Sequence, residues 1–175
     1  MAVPQEKLFW TVEEYLEFEK TSDVRHEYVD GAIYAMASEK KRHNRLAGRL
    51  FNRLSVHLEE TDCDVYFESV KMYTAANKYY YPDVVVSCED DQNEELAVAN
   101  PRLIIEVLSP STERTDRAEK LLAYQKLPSL QEYVLVSSER VWLQIYRRVD
   151  GENWSVEPFL NSDEIVSFNS VNLDL

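Results

Sequence analysis

Glycine is nearly absent, with three in 175 residues. So few cannot build a Gly-rich loop that brings backbone amides up to a phosphate, which excludes a P-loop or a dinucleotide-binding turn. Cysteine is as scarce. Cys63 and Cys88 show no CxxC spacing, and with His26, His43 and His57 they make no zinc-ligand pattern. Acidic neighbours at Glu89–Asp91 disfavour a Cys88 thiolate. The two read as reduced thiols of a cytoplasmic protein. No apolar run approaches the ~20 residues of a membrane helix, and the opening MAVPQEKLFW lacks the basic-then-apolar layout of a signal peptide. Positive charge is also short: 19 Lys and Arg stand against 32 Asp and Glu, a net −13. That surplus opposes non-specific nucleic-acid binding, which rests on phosphate neutralisation. Any nucleic-acid reading must therefore find locally concentrated cations.

What is present fits one domain spanning residues 1–175, with 45% hydrophobic and 29% charged residues and no repeat. Thr11-Val12-Glu13-Glu14 is a capping box that opens a helix to about Lys20. Asp30-Gly31 between the apolar runs 25–29 and 32–36 predicts a hairpin, with Glu27 on its first strand. Ser38 is placed to cap a long helix to about Glu60, whose apolar stripe is Leu46, Ala47, Leu50, Phe51, Leu54 and Leu58. Arg42, Arg45, Arg49 and Arg53 form a second stripe beside it. Strands are predicted at 63–68, 70–73, 79–86 and 103–108, with an acidic loop from Glu89 to Asn100. A helix from about Glu113 to Leu127 ends at Pro128. Strands at 132–137, 141–147, 154–160 and 165–168 complete the chain. The helix between strands 103–108 and 132–137 requires these two to be parallel.

Residues 79–133 hold the chemistry. Two buried-looking strands each carry a carboxylate, Asp83 in YPDVVV and Glu106 in LIIEVL. A buried charge is costly unless it is paired, hydrogen-bonded or metal-bound. The next helix supplies Arg117, Lys120 and Tyr124 along one face. Two acids on adjacent strands with a cation from the following helix are the parts of a divalent-metal phosphodiesterase site. Each residue also has a plainer reading. Asp83 could be a turn residue, Glu106 a buried partner of Arg117, Lys120 a solvated helix charge, Glu27 half of a cross-strand salt bridge, His43 a satisfied helix histidine and Tyr124 a core-edge ring.

The ordered set EYVDGAIYAM (27–36), His43, YPDVVV (81–86), PRLIIEVLSPST (101–112), DRAEKLLAY (116–124) and EYVLV (132–136) resembles the PD-(D/E)XK nuclease superfamily, and within it the Uma-type group of restriction endonuclease relatives. The resemblance implies an α/β (α+β) fold with a restriction-endonuclease-like αβββαβ core. Its central sheet is mixed, with an N-terminal hairpin and C-terminal antiparallel strands. It implies that Asp83, Glu106 and the Val107 carbonyl bind Mg²⁺ or Mn²⁺, and that Glu27 joins Asp83, Glu106 and Lys120 as a catalytic residue. His43, Arg42, Arg45, Arg49, Arg117 and Tyr124 are candidate substrate contacts. One departure stands out: the D/E-x-K pattern puts lysine two residues after the acid, where this chain has Leu108. Lys120 must then reach back from the helix.

The function so implied is a metal-dependent endonuclease that hydrolyses DNA phosphodiester bonds, working as a cytoplasmic homodimer away from membranes. Trp142, Tyr146, Trp154 and Phe159 offer a dimer face. Leu108 and the acidic surface favour an alternative, an inactive nuclease-fold protein used for binding or assembly. A third reading, a hydrolase of a small phosphate ester, would explain the acidity without a nucleic-acid groove.

Overall fold

A computed structural model describes residues 9–74, 77–89, 97–110 and 112–175. Helix α1 (Val12–Thr21) starts on a complete capping box: the Glu14 amide donates to Thr11 Oγ1 at 3.2 Å, and the Thr11 amide donates to the Glu14 carboxylate at 2.9 Å. Strands β1 (His26–Val29) and β2 (Ala32–Ala35) form the expected hairpin. Asp30 and Gly31 turn it with φ of 50° and 93°, the left-handed conformation this pair tolerates. Helix α2 (Lys41–Leu58) buries Ala47, Leu50, Leu54 and Leu58 on one face. Ser38 does not cap it. The helix starts two residues later than expected from a Ser38 cap, with Lys40 at the N-cap position and no side chain bonding there.

Strands β3 (Asp64–Phe67), β4 (Lys71–Thr74), β5 (Lys78–Tyr80), β6 (Val84–Ser87), β7 (Ala97–Val98) and β8 (Pro101–Leu108) follow. Residues 113–124 form α3, which is α-helical over Glu113–Thr115, π-helical over Asp116–Lys120 and α-helical again over Leu121–Tyr124. Strands β9 (Glu132–Ser137), β10 (Leu143–Asp150), β11 (Asn153–Phe159), β12 (Ser167–Phe168) and β13 (Leu173–Asp174) end the chain. The acidic loop expected from Glu89 to Asn100 lies largely outside the described residues.

Among the described residues there are two larger sheets, with strand orders β2-β1-β5-β4-β7 and β11-β10-β9-β8-β6-β3, and the pair β12-β13. Strands β8 and β9 are parallel, as the intervening helix demands, and β6 runs antiparallel to β8. The sequence reads 79–86 as one strand, but it is two. Its first half belongs to one sheet and its second to the other, and Tyr81-Pro82-Asp83 crosses between them. Pro82 has no amide to give a ladder, so pairing lapses there. The C-terminal strands β10 and β11 are antiparallel, as expected, and extend the central sheet beyond β9.

The pleat of β8 sorts its side chains by parity. Leu103, Ile105 and Val107 pack with Leu50, Leu54, Val84 and Val86 beneath α2. Ile104 and Leu108 pack on the opposite side with Val85, Tyr124, Tyr133 and Leu135. Glu106, of the same parity, therefore faces α3.

One expectation is overturned. Cys63 and Cys88 are not reduced thiols; they form a disulfide. The β3–β6 register pairs Asp64 with Ser87, so one step further sets Cys63 across from Cys88. The cytoplasmic placement drawn from free thiols loses that ground. Trp142, Tyr146, Trp154 and Phe159, the aromatics expected at a dimer face, are partly buried and pack against the chain's own core. No described helix is long and apolar enough to cross a membrane.

Candidate active site

Asp83 sits just before β6, one residue beyond the Val84–Ile105 pair, which brings it level with Glu106 on β8. Its Oδ2 accepts the Val107 amide at 2.7 Å and lies 3.2 Å from His43 Nε2. Glu106 is 3% exposed, and its Oε1 accepts two bonds, from Lys120 Nζ at 3.1 Å and from the Tyr124 hydroxyl at 3.1 Å. Lys120 Nζ also lies 2.9 Å from Glu27 Oε1 on β1 and 3.3 Å from Asp116 Oδ1. The lysine missing at Leu108 is thus replaced in space from α3.

The π-helical stretch makes this reach possible. A wider turn, bonded i→i+5, nearly superimposes residues four apart. Asp116, Lys120 and Tyr124 are all buried on the inner face. Arg117 leaves that face: its Nε bonds Glu113 at 2.8 Å, and its guanidinium stacks 4.2 Å from the Trp142 ring centroid. It is not the partner of Glu106.

These groups line a cavity of about 310 Å³, with Glu39 and Glu119 at its margins beside Glu27, His43, Asp83, Glu106, Asp116 and Lys120. Carboxylates outnumber cations, and the electrostatics follow. Burial raises the Glu106 carboxyl well above the ordinary range; Lys120 opposes this, while Asp116, Asp83 and Glu27 add to it. Asp116 is raised for the same reasons, with burial first and Lys120 again opposing. Burial alone would lower Lys120, but Glu106, Glu27, Tyr124 and Asp116 together raise it well above its usual value, so it stays an ammonium. His43 behaves alike. Burial pulls it down, but the bond to Asp83, the Asp83 and Glu39 charges and a weaker pull from the Val107 carbonyl leave it raised.

Asp116 is the residue that the sequence reading passed over. It is 1% exposed, and its Oδ1 finds no hydrogen-bond donor, the nearby Lys120 contact being an ion pair only. The signal was there in the i, i+4 spacing to Lys120, but on a helix that spacing normally marks a solvated pair. The other candidates fall in two groups. His43 and Glu27 line the cavity. Tyr124 is fully buried and positions Glu106, in edge-on contact with Tyr80 and Tyr133. Arg42, Arg45 and Arg49 are exposed along α2 and do not line the cavity, and neither does Arg117.

The donor set suits a hard divalent cation. The cavity holds surplus negative charge, and the buried Asp116 Oδ1 has only its ion pair with Lys120. Among the described residues no three His, Cys, Asp or Glu side chains converge to hold a metal by themselves. One or two carboxylates completed by water is the arrangement Mg²⁺ favours.

A solved structure shares this mixed sheet flanked by helices. A putative nuclease from Anabaena variabilis superposes with a TM-score of 0.76 over 93% of this chain and 91% of that one, at 18% identity. The chain belongs to the Uma2 family, described as Putative restriction endonuclease, whose family model matches residues 12–175. Two Synechocystis proteins described as uncharacterized are similar to it. One is 37% identical, covering 87% of this chain and 82% of its own length; the other is 29% identical, covering 91% and 92%.

Proposed function

We propose that this nuclease-family protein is a metal-dependent endonuclease that cleaves DNA phosphodiester bonds in the cavity of Asp83, Glu106 and Lys120. The observation that carries the proposal is the Lys120 ammonium, brought from α3 to within 3.1 Å of Glu106 and 2.9 Å of Glu27. Asp83 and Glu106, with the Val107 carbonyl, would hold Mg²⁺ or Mn²⁺. That ion would neutralise phosphate charge and lower the pKa of a bound water. Lys120 is held too firmly protonated to act as a base. It serves as a fixed positive donor to the phosphate oxygens, where charge accumulates during displacement. Tyr124 and Glu27 hold its position and that of Glu106. His43 and the Val107 amide fix Asp83 from two sides.

A nicking assay on supercoiled plasmid with Mg²⁺ or Mn²⁺ tests this. Asp83→Ala and Glu106→Ala are each expected to abolish nicking, as is a chelator. Nicking that survives both substitutions sinks the proposal. A second reading, a binding protein that keeps the fold, is favoured by the ion pairs that already occupy Lys120. It predicts nucleic-acid binding with no metal-dependent nicking.

A further inference from the structure

A polyanion meets two obstacles at this site. The chain carries a net −13, and the cavity is itself lined by carboxylates. A strand drawn toward Lys120 therefore needs a foothold of opposite charge close by. Among the described residues the end of β8 offers such a place. A second hollow, of about 130 Å³, lies beside the end of β8 and is lined by Ser109, Glu113, Arg117, Glu139, Arg140 and Trp142 among others. It adjoins the acidic cavity through the Ser109 hydroxyl, which is 3.4 Å from the carboxylate of Glu39, a residue of the cavity wall.

The local charge balance here is reversed. Lys40 and Arg42, at the start of α2, reach Glu139 at 3.4 and 3.7 Å. Arg117 is paired with Glu113. The hollow's own lining has two cations, Arg117 and Arg140, and two carboxylates, Glu113 and Glu139; with the flanking Lys40, Arg42 and Glu39, four cations meet three carboxylates. Among the described residues Arg140 has no carboxylate partner. Its guanidinium sits 5.9 Å from the Trp142 ring centroid, and that of Arg117 sits 4.2 Å from the same ring. One indole thus gathers two guanidinium groups. Contact with the ring restrains Arg117 in particular, and a pre-ordered guanidinium loses less entropy when it grips phosphate. From Arg42 the exposed cations continue along α2 through Arg45 and Arg49. The result is a basic arc on the rim of an acidic pocket.

We propose that Arg140 and Arg117, gathered on Trp142, form a clamp for a backbone phosphate of the nucleic-acid strand that enters the acidic cavity. The proposal rests on the reading of that cavity as a phosphodiesterase site. The ligand chemistry is a phosphodiester within a chain of phosphates. A single free anion would meet the surrounding acidic field without the arc along α2 to offset it.

Binding of a labelled oligonucleotide, single-stranded and duplex in separate arms, should be followed by fluorescence anisotropy in chelator across a salt series. Arg140→Glu is compared with Lys126→Glu, which makes the same charge change on an exposed residue that no part of the clamp touches. Arg140→Glu is expected to weaken binding about tenfold and to reduce the salt slope by about one. Lys126→Glu should stay within about twofold. Equal loss in both variants, no loss in Arg140→Glu, or no binding by the wild type overturns the clamp. The cavity reading fails separately, on absence of metal-dependent nicking by the wild type. Preserved binding in Glu106→Gln, with nicking abolished, shows the two sites acting apart and supports the clamp.

Discussion

Glu106 near the end of β8 and Glu132 at the start of β9 are both buried acids in apolar strands, at opposite ends of one parallel pair. In sequence they look alike, LIIEVL and QEYVLV. Their surroundings differ in kind. Glu132 is closed by Arg147 Nε at 2.8 Å, the amides of Asn169 and Ser170 at 3.1 and 2.9 Å, and the Ser170 hydroxyl. Arg147 is shared with the exposed Glu157, but the two amides and the hydroxyl serve Glu132 alone, and it pins the C-terminal segment to the sheet. Glu106 shares a single lysine with Glu27 and Asp116, beside a cavity. A buried acid with its own set of donors is structure. A buried acid whose one cation is divided among three carboxylates leaves charge for a ligand to neutralise.

That contrast can be broken most sharply at Lys120. Lys120→Met is expected to lower nicking by about 10²–10³-fold, with circular dichroism and cooperative unfolding retained. Nicking within tenfold of wild type would mean that Lys120 does not touch the reaction. At the other end of the sheet the loss should fall on stability instead. Glu132→Ala removes the acceptor of Arg147 Nε, two amides and the Ser170 hydroxyl, and should cost about 3–5 kcal/mol in urea unfolding. Nicking per folded molecule should hold steady; a selective loss of activity would erase the distinction drawn between the two acids.

A smaller effect concerns pH. Glu106 and Asp116 are raised, so the folded state keeps protons that the unfolded chain has lost. When the folded state binds more protons, stability falls as pH rises. His43, also raised, has the same sign. In chelator the melting temperature should therefore decline from about pH 5 to about pH 8. Divalent cation should flatten the decline by replacing the protons. Glu106→Gln should make it shallower and add about 1 kcal/mol near neutral pH, the usual gain when a strained site is relieved. A Glu106→Gln protein less stable than wild type in chelator would show that no surplus charge exists there.

The family motifs carry Asp83, Glu106 and Lys120 without carrying their distances. Asp116 stood inside the DRAEKLLAY stretch and went unassigned, because nothing local announces a π-helical turn. Arg117 is one residue from Asp116 and three from Lys120, and an ideal α-helix would group it with the latter. The extra width of the turn sends it outward to Trp142 instead. The disulfide hid for a similar reason: 25 residues separate its ends, and only the β3–β6 register makes them neighbours.

What the sequence by itself determined is what short-range physics encodes. The capping box at Thr11, the Asp30-Gly31 turn, the apolar stripe of α2 and the parallel pairing of β8 and β9 all depend on neighbours a few residues apart or on a single connecting helix. The identity of the paired acids belongs here too, since charge inside an apolar run is visible without a fold. Only the tertiary structure decided where the break at Pro82 sends the chain, and that Lys120 fills the place Leu108 leaves empty. It alone decided that Glu132 is met by backbone amides while Glu106 shares a lysine beside the cavity, and that two arginines lie near one indole. These depend on which elements face each other, and on how many cations each buried acid must share. Both are sums over contacts between residues distant in sequence.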